Sequence, residues 1–491
     1  MATVSSSWSE YETVIGLEVH AQLMTRTKMY CSCASNYADA EPNTHLCPVC
    51  AGLPGALPVL NRTAVEKAIL VGLALNCEIP PYNKLDRKQY VYPDLPKGYQ
   101  ISQYDMPLCV NGWLEFETGG VTKRAGITRV HVEEDTGRLV HVQDGLGAST
   151  SLVDLNRSGV PLLEIVGEPD LRSPEEAQDY LIALRQILRY IDASTGSMED
   201  GAFRCDANVS VRLRGAARLG AKVEVKNMNS FSAVERALKF EEIRQREALD
   251  TGEVISQETR GWIEAGSITV SQRTKEQAHD YRYFPEPDLP PLRVEESQVA
   301  ELQDILPELP AARRGRFVTQ YRLKVSDAAL LTAERPIADD FEAVVGTRGD
   351  ERARITANWI VNDVLGLQRQ LGLPPEQLPV SAAQLGDLID ALTANELSSR
   401  AAKDVLAQLR PDELPRAAAA RLNLLSLNDD GAVDAAVSET LAAFPEAVTD
   451  YQSGKTNAIG RLIGETIKRT GGRARPEDVR ARLEHALAAR E

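Results

Sequence analysis

The sequence predicts an α+β N-terminal domain with an antiparallel sheet, then an all-α helical domain and a small all-α tail domain. Three observations predict this order. Residues 13 to about 297 mix short alternating strands with helices and many Gly/Pro turns, with no repeated strand–helix–strand unit. Residues 285–291 read PEPDLPP, a domain exit. Beyond Val294 the chain is rich in Ala, Leu, Arg and Glu and shows little strand character. The expected domains are 1–293, 294–412 and 413–491, the last break falling near Pro411 to Pro415.

In order along the chain, Val14 to Leu23 alternates: Ile15, Leu17, Val19, Ala21 and Leu23 share one strand face, and Glu18, His20 and Gln22 the other. A helix is expected over Ala64 to Asn76, after the bend at Gly52 to Pro58. Ser173-Pro174-Glu175-Glu176 combines an N-cap, a proline at the first helical position and acids in the first turn. Leu181, Leu184, Leu188 and Ile191 continue it as an apolar stripe. Another helix is expected over Ser232 to Leu249, and Ser381 caps a further one at Ala382.

Hydrophobic residues make up 43% and charged residues 26% of the 491, the balance of a folded chain rather than a disordered one. No apolar run reaches the ~18 residues needed to span a bilayer, and the start is short and polar, so the expected location is cytoplasmic with no membrane partner. The net charge of -16 argues against indiscriminate nucleic-acid binding. Residues 454–491 differ: nine Lys/Arg against five Asp/Glu leave this tail at +4. A P-loop is absent, because Thr449 stands where Gly454-Lys455-Thr456 would need its first glycine, and no Rossmann glycine fingerprint follows a strand.

Cys31-x-Cys33 and Cys47-x-x-Cys50 place four soft ligands in two close pairs, the pattern of tetrahedral zinc within an insertion at 31–50. Four protein ligands leave no open position, so this zinc would be structural. The acids form a second constellation: Glu18 beside His20, Glu133 and Glu134 after His131, Glu164 inside an apolar strand, and Asp206. A buried acid needs a compensating cation, and several together suit Mg²⁺. Arg157 and Arg204 lie between them in sequence and Lys226 follows Asp206, and all three suit phosphate oxygens.

IGLEVHAQL at 15–23, CPVCAGLPGALPVLN at 47–61 and DRKQYVYPDLPKGYQISQ at 86–103 together resemble a known family. HVEEDTG at 131–137, DLNRSGVPLLEIVGEPDLRSP at 154–174 and SMEDGAFRCDANVSVR at 197–212 continue the match, with EVKNMNSF at 224–231 and AHDYRYFPEPDLPPL at 278–292. The family is that of the B subunits of tRNA-dependent amidotransferases, and residues 454–479 are similar to its small YqeY-like helical domain. The resemblance implies a cradle domain related to glutamine synthetase, a helical domain and a tRNA-binding tail. It also implies a heterotrimer with an amidase A subunit and a small C subunit. The implied activity is ATP-dependent amidation of misacylated Glu-tRNA(Gln) or Asp-tRNA(Asn). Carried over by position, Glu18, His20 and Glu134 are the Mg²⁺ ligands, with Glu133, Glu164 and Asp206 as further catalytic candidates. Lys88 and Tyr90 match the mouth of the ammonia conduit. The alternative is a non-enzymatic, zinc-containing RNA-binding protein, which leaves the acids without a task.

Overall fold

The computed structural model describes residues 6–143, 149–274, 281–346, 350–426 and 430–489. Residues 278–280, which open one of the family-like segments, lie outside them. The chain divides into two compact units, Met1–Leu309 and Pro310–Glu491.

In the first unit the strands are β1 (Tyr11–Gln22), β2 (Tyr82–Asn83), β3 (Asp86–Gln89), β4 (Tyr99–Ser102) and β5 (Cys109–Thr118). There follow β6 (Val121–Glu134), β7 (Arg138–Gln143), β8 (Ser149–Asp154), β9 (Pro161–Gly167) and β10 (Phe203–Leu213). The last are β11 (Val223–Lys226), β12 (Glu258–Ile263), β13 (Ile268–Thr274), β14 (Phe284–Pro285) and β15 (Leu292–Arg293). Eight of them form one sheet, ordered β13-β12-β11-β10-β1-β9-β6-β5. Helices α1 (Arg62–Ala74), α2 (Pro174–Tyr190), α3 (Phe231–Asp250) and α4 (Glu296–Asp304) complete the unit.

The alternation of β1 decides which side of the sheet is core. Ile15, Leu17, Val19, Ala21 and Leu23 are at most 2% exposed and join Leu181, Leu184 and Leu188 of α2 and Val234 and Leu238 of α3 in one hydrophobic cluster. Ser173 caps α2 as expected, accepting from Glu176 N–H with Pro174 at the helix start. Asn61 caps α1 by accepting from Ala64 N–H, which sets the helix start at Arg62.

The sheet is not purely antiparallel. Strands β11 and β12 pair in parallel, because α3 carries the chain back to start β12 in the same direction. Strand β6 carries a second irregularity: Ile127 pairs with Gly167 and Arg129 with Val166, leaving Thr128 as an extra residue. Ala125 and Ile127 are buried before this bulge and Val130 and Val132 after it, so the core-facing parity switches.

The first unit extends past 293. Leu302 of α4 is in its core, with Leu306 and Leu309 packed against it. Among the described residues, no strand follows β15. The second unit is helical among its described residues: α5 (Pro310–Gln320), α6 (Val325–Leu331), α7 (Arg335–Val345), α8 (Asp350–Trp359) and α9 (Leu365–Gln370). A π-helical turn at Ile360–Val364 joins α8 to α9. Next are α10 (Ala382–Thr393), α11 (Ser399–Ala407), α12 (Pro415–Arg421), α13 (Asp430–Ala443), α14 (Pro445–Gln452), α15 (Ala458–Arg469) and α16 (Pro476–Ala488). Residues from Phe317 to Ala419 build one core and those from Val433 to Leu487 another. The turn at 411–415 lies inside the first: Gln384 Nε2 donates to the carbonyls of Arg410, Pro411 and Glu413 at 3.2, 2.9 and 3.0 Å. The change of core therefore comes after Leu424, not at 412.

Candidate active site and metal centre

Opposite the helices, the sheet presents polar residues in cross-strand rows. His20 on β1 stands opposite Glu164 on β9 and Arg204 on β10. Glu164 in turn stands opposite His131 on β6, and Glu18 stands opposite Asp206. Because the bulge at Thr128 has switched the parity of β6, Arg129, His131 and Glu133 turn to this polar face.

At the centre, His20 Nε2 lies 3.7 Å from Glu133 Oε1 and 3.6 Å from Glu164 Oε2. His131 Nε2 is 3.4 Å from the same Glu164 oxygen. One ligand atom from each of His20, Glu133 and Glu164 falls within 4.8 Å of the others. Burial opposes charge on Glu164, but His131 and His20 outweigh it and hold the carboxyl well below its ordinary range. Burial likewise pushes His20 down, and Glu164 and Glu133 overcome it to raise the imidazole above its usual value.

The other expected residues take different places. Glu134 follows Glu133 but shares the side of Val130 and Val132; it pairs with Lys97 and accepts from Ile101 N–H at 3.1 Å. Glu18 accepts from Asn208 Nδ2 at 3.3 Å and lies outside the triplet. Asp206 is bound by Lys226, whose ammonium is also 3.2 Å from Glu224. Arg204 donates to Asp135 at 3.0 Å, and Arg157 lies 3.8 Å from the same carboxylate. Arg157 is further engaged by the carbonyls of Thr136 and Gly137, at 3.0 and 2.7 Å. Lys88 Nζ lies 5.1 Å from the Tyr281 ring centroid, and Glu133 and Glu164 act on its charge. Tyr90 meets Tyr281 edge-on at 5.9 Å, and burial raises its phenol.

Two residues of this face were not among the expected set. Asp135, 3% exposed, gathers Arg204, Arg157 and Gln22. His131 shares the i, i+2 face of Glu133, a signal the spacing His131-Val132-Glu133 already contained. Four buried polar atoms of the same floor have no hydrogen-bond partner among the described residues: Arg129 Nε, His131 Nδ1, Arg204 Nε and Asn208 Oδ1. Buried donors and acceptors are ordinarily satisfied, so such a concentration suits a floor built for a polar ligand. An open groove of about 1160 Å³ adjoins it, lined by Gln22, Arg26, Tyr37, Thr195 and Asp200 among others.

The four cysteines of the insertion converge. Their sulfur atoms lie within 4.8 Å of one another, with Cys50 Sγ 3.9 Å from Cys33 Sγ and 3.8 Å from Cys47 Sγ. The fully buried Lys28 donates to Cys50 Sγ at 3.6 Å and to the His45 carbonyl at 2.8 Å. Hydrogen bonding from Cys31 holds the Cys50 thiol down at about 4 against burial, with the Cys47 backbone and Lys28 adding to it. Gly159 adopts φ +85° where a Cβ would sit 3.4 Å from Cys50 Cβ, so the backbone passes close to the cluster without a side chain. This donor set fits a soft, tetrahedral ion with no exchangeable position.

Among the described residues, no helix is long and apolar enough to cross a membrane. Comparison with known proteins accounts for both units. The family described as GatB/GatE catalytic domain matches residues 13–300, and that described as GatB domain matches 339–487. A relative from Thermomicrobium roseum is 54% identical over 480 residues, covering 97% of this chain and 99% of its own. One from Dehalococcoides mccartyi strain CBDB1 is 50% identical over 488 residues, covering 98% and 99%. One from Moorella thermoacetica is 50% identical over 479 residues, covering 97% and 100%. Each of the three is named as the B subunit of an aspartyl/glutamyl-tRNA(Asn/Gln) amidotransferase. With the catalytic-domain match spanning the whole polar floor and such relatives matching end to end, the chain belongs to the family of amidotransferase B subunits.

Proposed function

We propose that this chain catalyses the ATP-dependent amidation of Glu-tRNA(Gln), Asp-tRNA(Asn) or both, as the B subunit of a heterotrimer with an amidase A subunit and a small C subunit in the cytoplasm. The observation that carries this reading is the convergence of His20, Glu133 and Glu164 on a sheet floor flanked by cations. A carboxylate is a poor electrophile. In the first step an oxygen of the aminoacyl side chain bonds to the γ-phosphorus of ATP while the bond to the β–γ bridging oxygen breaks, and ADP leaves. Ammonia then attacks the acyl carbon, inorganic phosphate departs with its oxygen, and the nitrogen loses a proton to leave the neutral amide.

The residues divide these tasks. His20, Glu133 and Glu164 would hold Mg²⁺, which neutralises phosphate oxygens when bound. This ligand set keeps His20 and replaces Glu18 and Glu134 of the sequence-based expectation. Glu18 and Asp206, with Lys226, border the set along β1, β10 and β11 and orient the nucleotide through polar contacts. Arg204, held by Asp135, faces the incoming phosphate, whereas Arg157 supports the turn after β6. Lys88 and Tyr90, beside Tyr281, form the inner mouth through which ammonia arrives. Zinc in the cysteine cluster is structural, and the helical tail contacts tRNA through phosphates. The cradle's kinship to glutamine synthetase is part of this reading.

The test is amide formation by the purified complex with ATP, Mg²⁺ and glutamine on each misacylated tRNA. Gln-tRNA(Gln), Asn-tRNA(Asn) or both should accumulate. If glutamine is hydrolysed but neither aminoacyl-tRNA is amidated, the proposal is wrong.

A further inference from the structure

The cations of the floor are not equivalent. Lys226 is bound by Asp206 and Glu224, Arg204 by Asp135, and Arg157 by two carbonyls. Arg129 is different. Among the described residues its side chain makes no hydrogen bond, its Nε, like that of Arg204, is buried without a partner, and its nearest acid is Glu164 Oε1 at 3.8 Å. That distance is too long for a hydrogen bond. A guanidinium has five donors in a planar fork; here the Nε donor is buried without a partner, while the side chain is 31% exposed and its outer donors are open to a ligand or to water.

Its position says which ligand. One oxygen of Glu164 faces the two imidazoles, and the other faces Arg129. An anion resting beside a divalent ion at His20, Glu133 and Glu164 therefore comes within reach of the guanidinium. The bulge at Thr128 is what brings Arg129 to this face, since uniform pleating from Ile127 would turn both residues to one side. We infer that Arg129 is the receptor for the terminal phosphoryl group of ATP, contacting its non-bridging oxygens as the group passes to the side-chain carboxylate. This assignment rests on the proposed function and adds a catalytic residue to it. The arginine fork matches tetrahedral phosphate better than an ammonium does.

The experiment compares binding of ADP and of a non-hydrolysable ATP analogue, with Mg²⁺, to the assembled complex by calorimetry. The wild type should prefer the triphosphate. Arg129→Gln should reduce that preference by roughly tenfold to a hundredfold while leaving ADP affinity and Mg²⁺ affinity unchanged. Arg129→Lys should restore part of it, because charge returns without the fork. A preference retained in Arg129→Gln overturns the assignment. Equal weakening of both nucleotides, or loss of Mg²⁺ binding, overturns it too, by showing a merely structural role. A wild-type complex that binds neither nucleotide removes the proposed function and this assignment together. A wild-type complex that binds both, beside a variant that keeps the preference, removes this assignment alone.

Discussion

His20 and Glu164 stand directly opposite one another on β1 and β9, the imidazole Nε2 3.6 Å from the carboxylate Oε2. Glu133 reaches the same space from β6 and Glu134 does not, which makes two adjacent glutamates separable by experiment. Glu133→Gln and Glu164→Gln should each weaken Mg²⁺ binding roughly tenfold to a hundredfold and lower ATP cleavage accordingly. Glu134→Gln should leave Mg²⁺ affinity intact. It should instead destabilise the first unit by on the order of 3 kcal/mol, because Lys97 loses its buried partner. Calorimetric Mg²⁺ titration and thermal melting of the three variants decide between these outcomes.

Elemental analysis of the purified chain should find about one zinc per molecule, and Cys50→Ser should abolish it. Chelation should lower the melting temperature, since Lys28 and the turn at Ser158 pack on the cluster: Ser158 Oγ donates to the Cys50 carbonyl at 3.1 Å. Unchanged melting after complete zinc removal would exclude a structural role.

In the helical unit, Gln384 bonds three carbonyls of the turn before α12 and closes a capping box, receiving Ser381 N–H at 2.9 Å. Gln384→Ala leaves those carbonyls without their donor. Denaturant titration should show a loss of roughly 2–3 kcal/mol. A loss below about 0.5 kcal/mol, the scatter of ordinary surface changes, would mean that water replaces the amide fully.

Glu342 supplies a pH test. Burial raises its carboxyl, but hydrogen bonds from Arg316 and Arg313 outweigh this and leave it below the ordinary value. A carboxyl lowered on folding stabilises fully above its unfolded pKa of about 4.3 and loses that contribution as pH falls through the folded value. The melting-temperature gap between wild type and Glu342→Gln should therefore be widest near neutrality and close in acid. A gap that persists undiminished well below the folded value would point to packing rather than charge.

Much of this was legible in the residues themselves. The five apolar positions of β1 are its buried face, and Ser173 and Ser381 cap helices as their neighbours indicate, because these signals are local. The proposed ligand set was harder to read. His20 and Glu164 meet only through strand pairing, and Glu133 could not be told from Glu134 without knowing that Lys97 waits on the other side. The ends of the units were misplaced for a similar reason. Leu302 and Ala419 pack into cores built by distant segments, which punctuation by proline cannot reveal.

Thr128 has an outcome of another kind. Strand β6 carries two reading frames, odd numbers inward before it and even numbers inward after it. Excising that single residue would leave Ile127 inward, Arg129 outward and Val130 inward in unbroken alternation, so the bulge would vanish while each half of the strand kept its side. What the extra residue supplies is a local bend and added twist in β6, with its own hydroxyl donating to Glu168 at 2.7 Å.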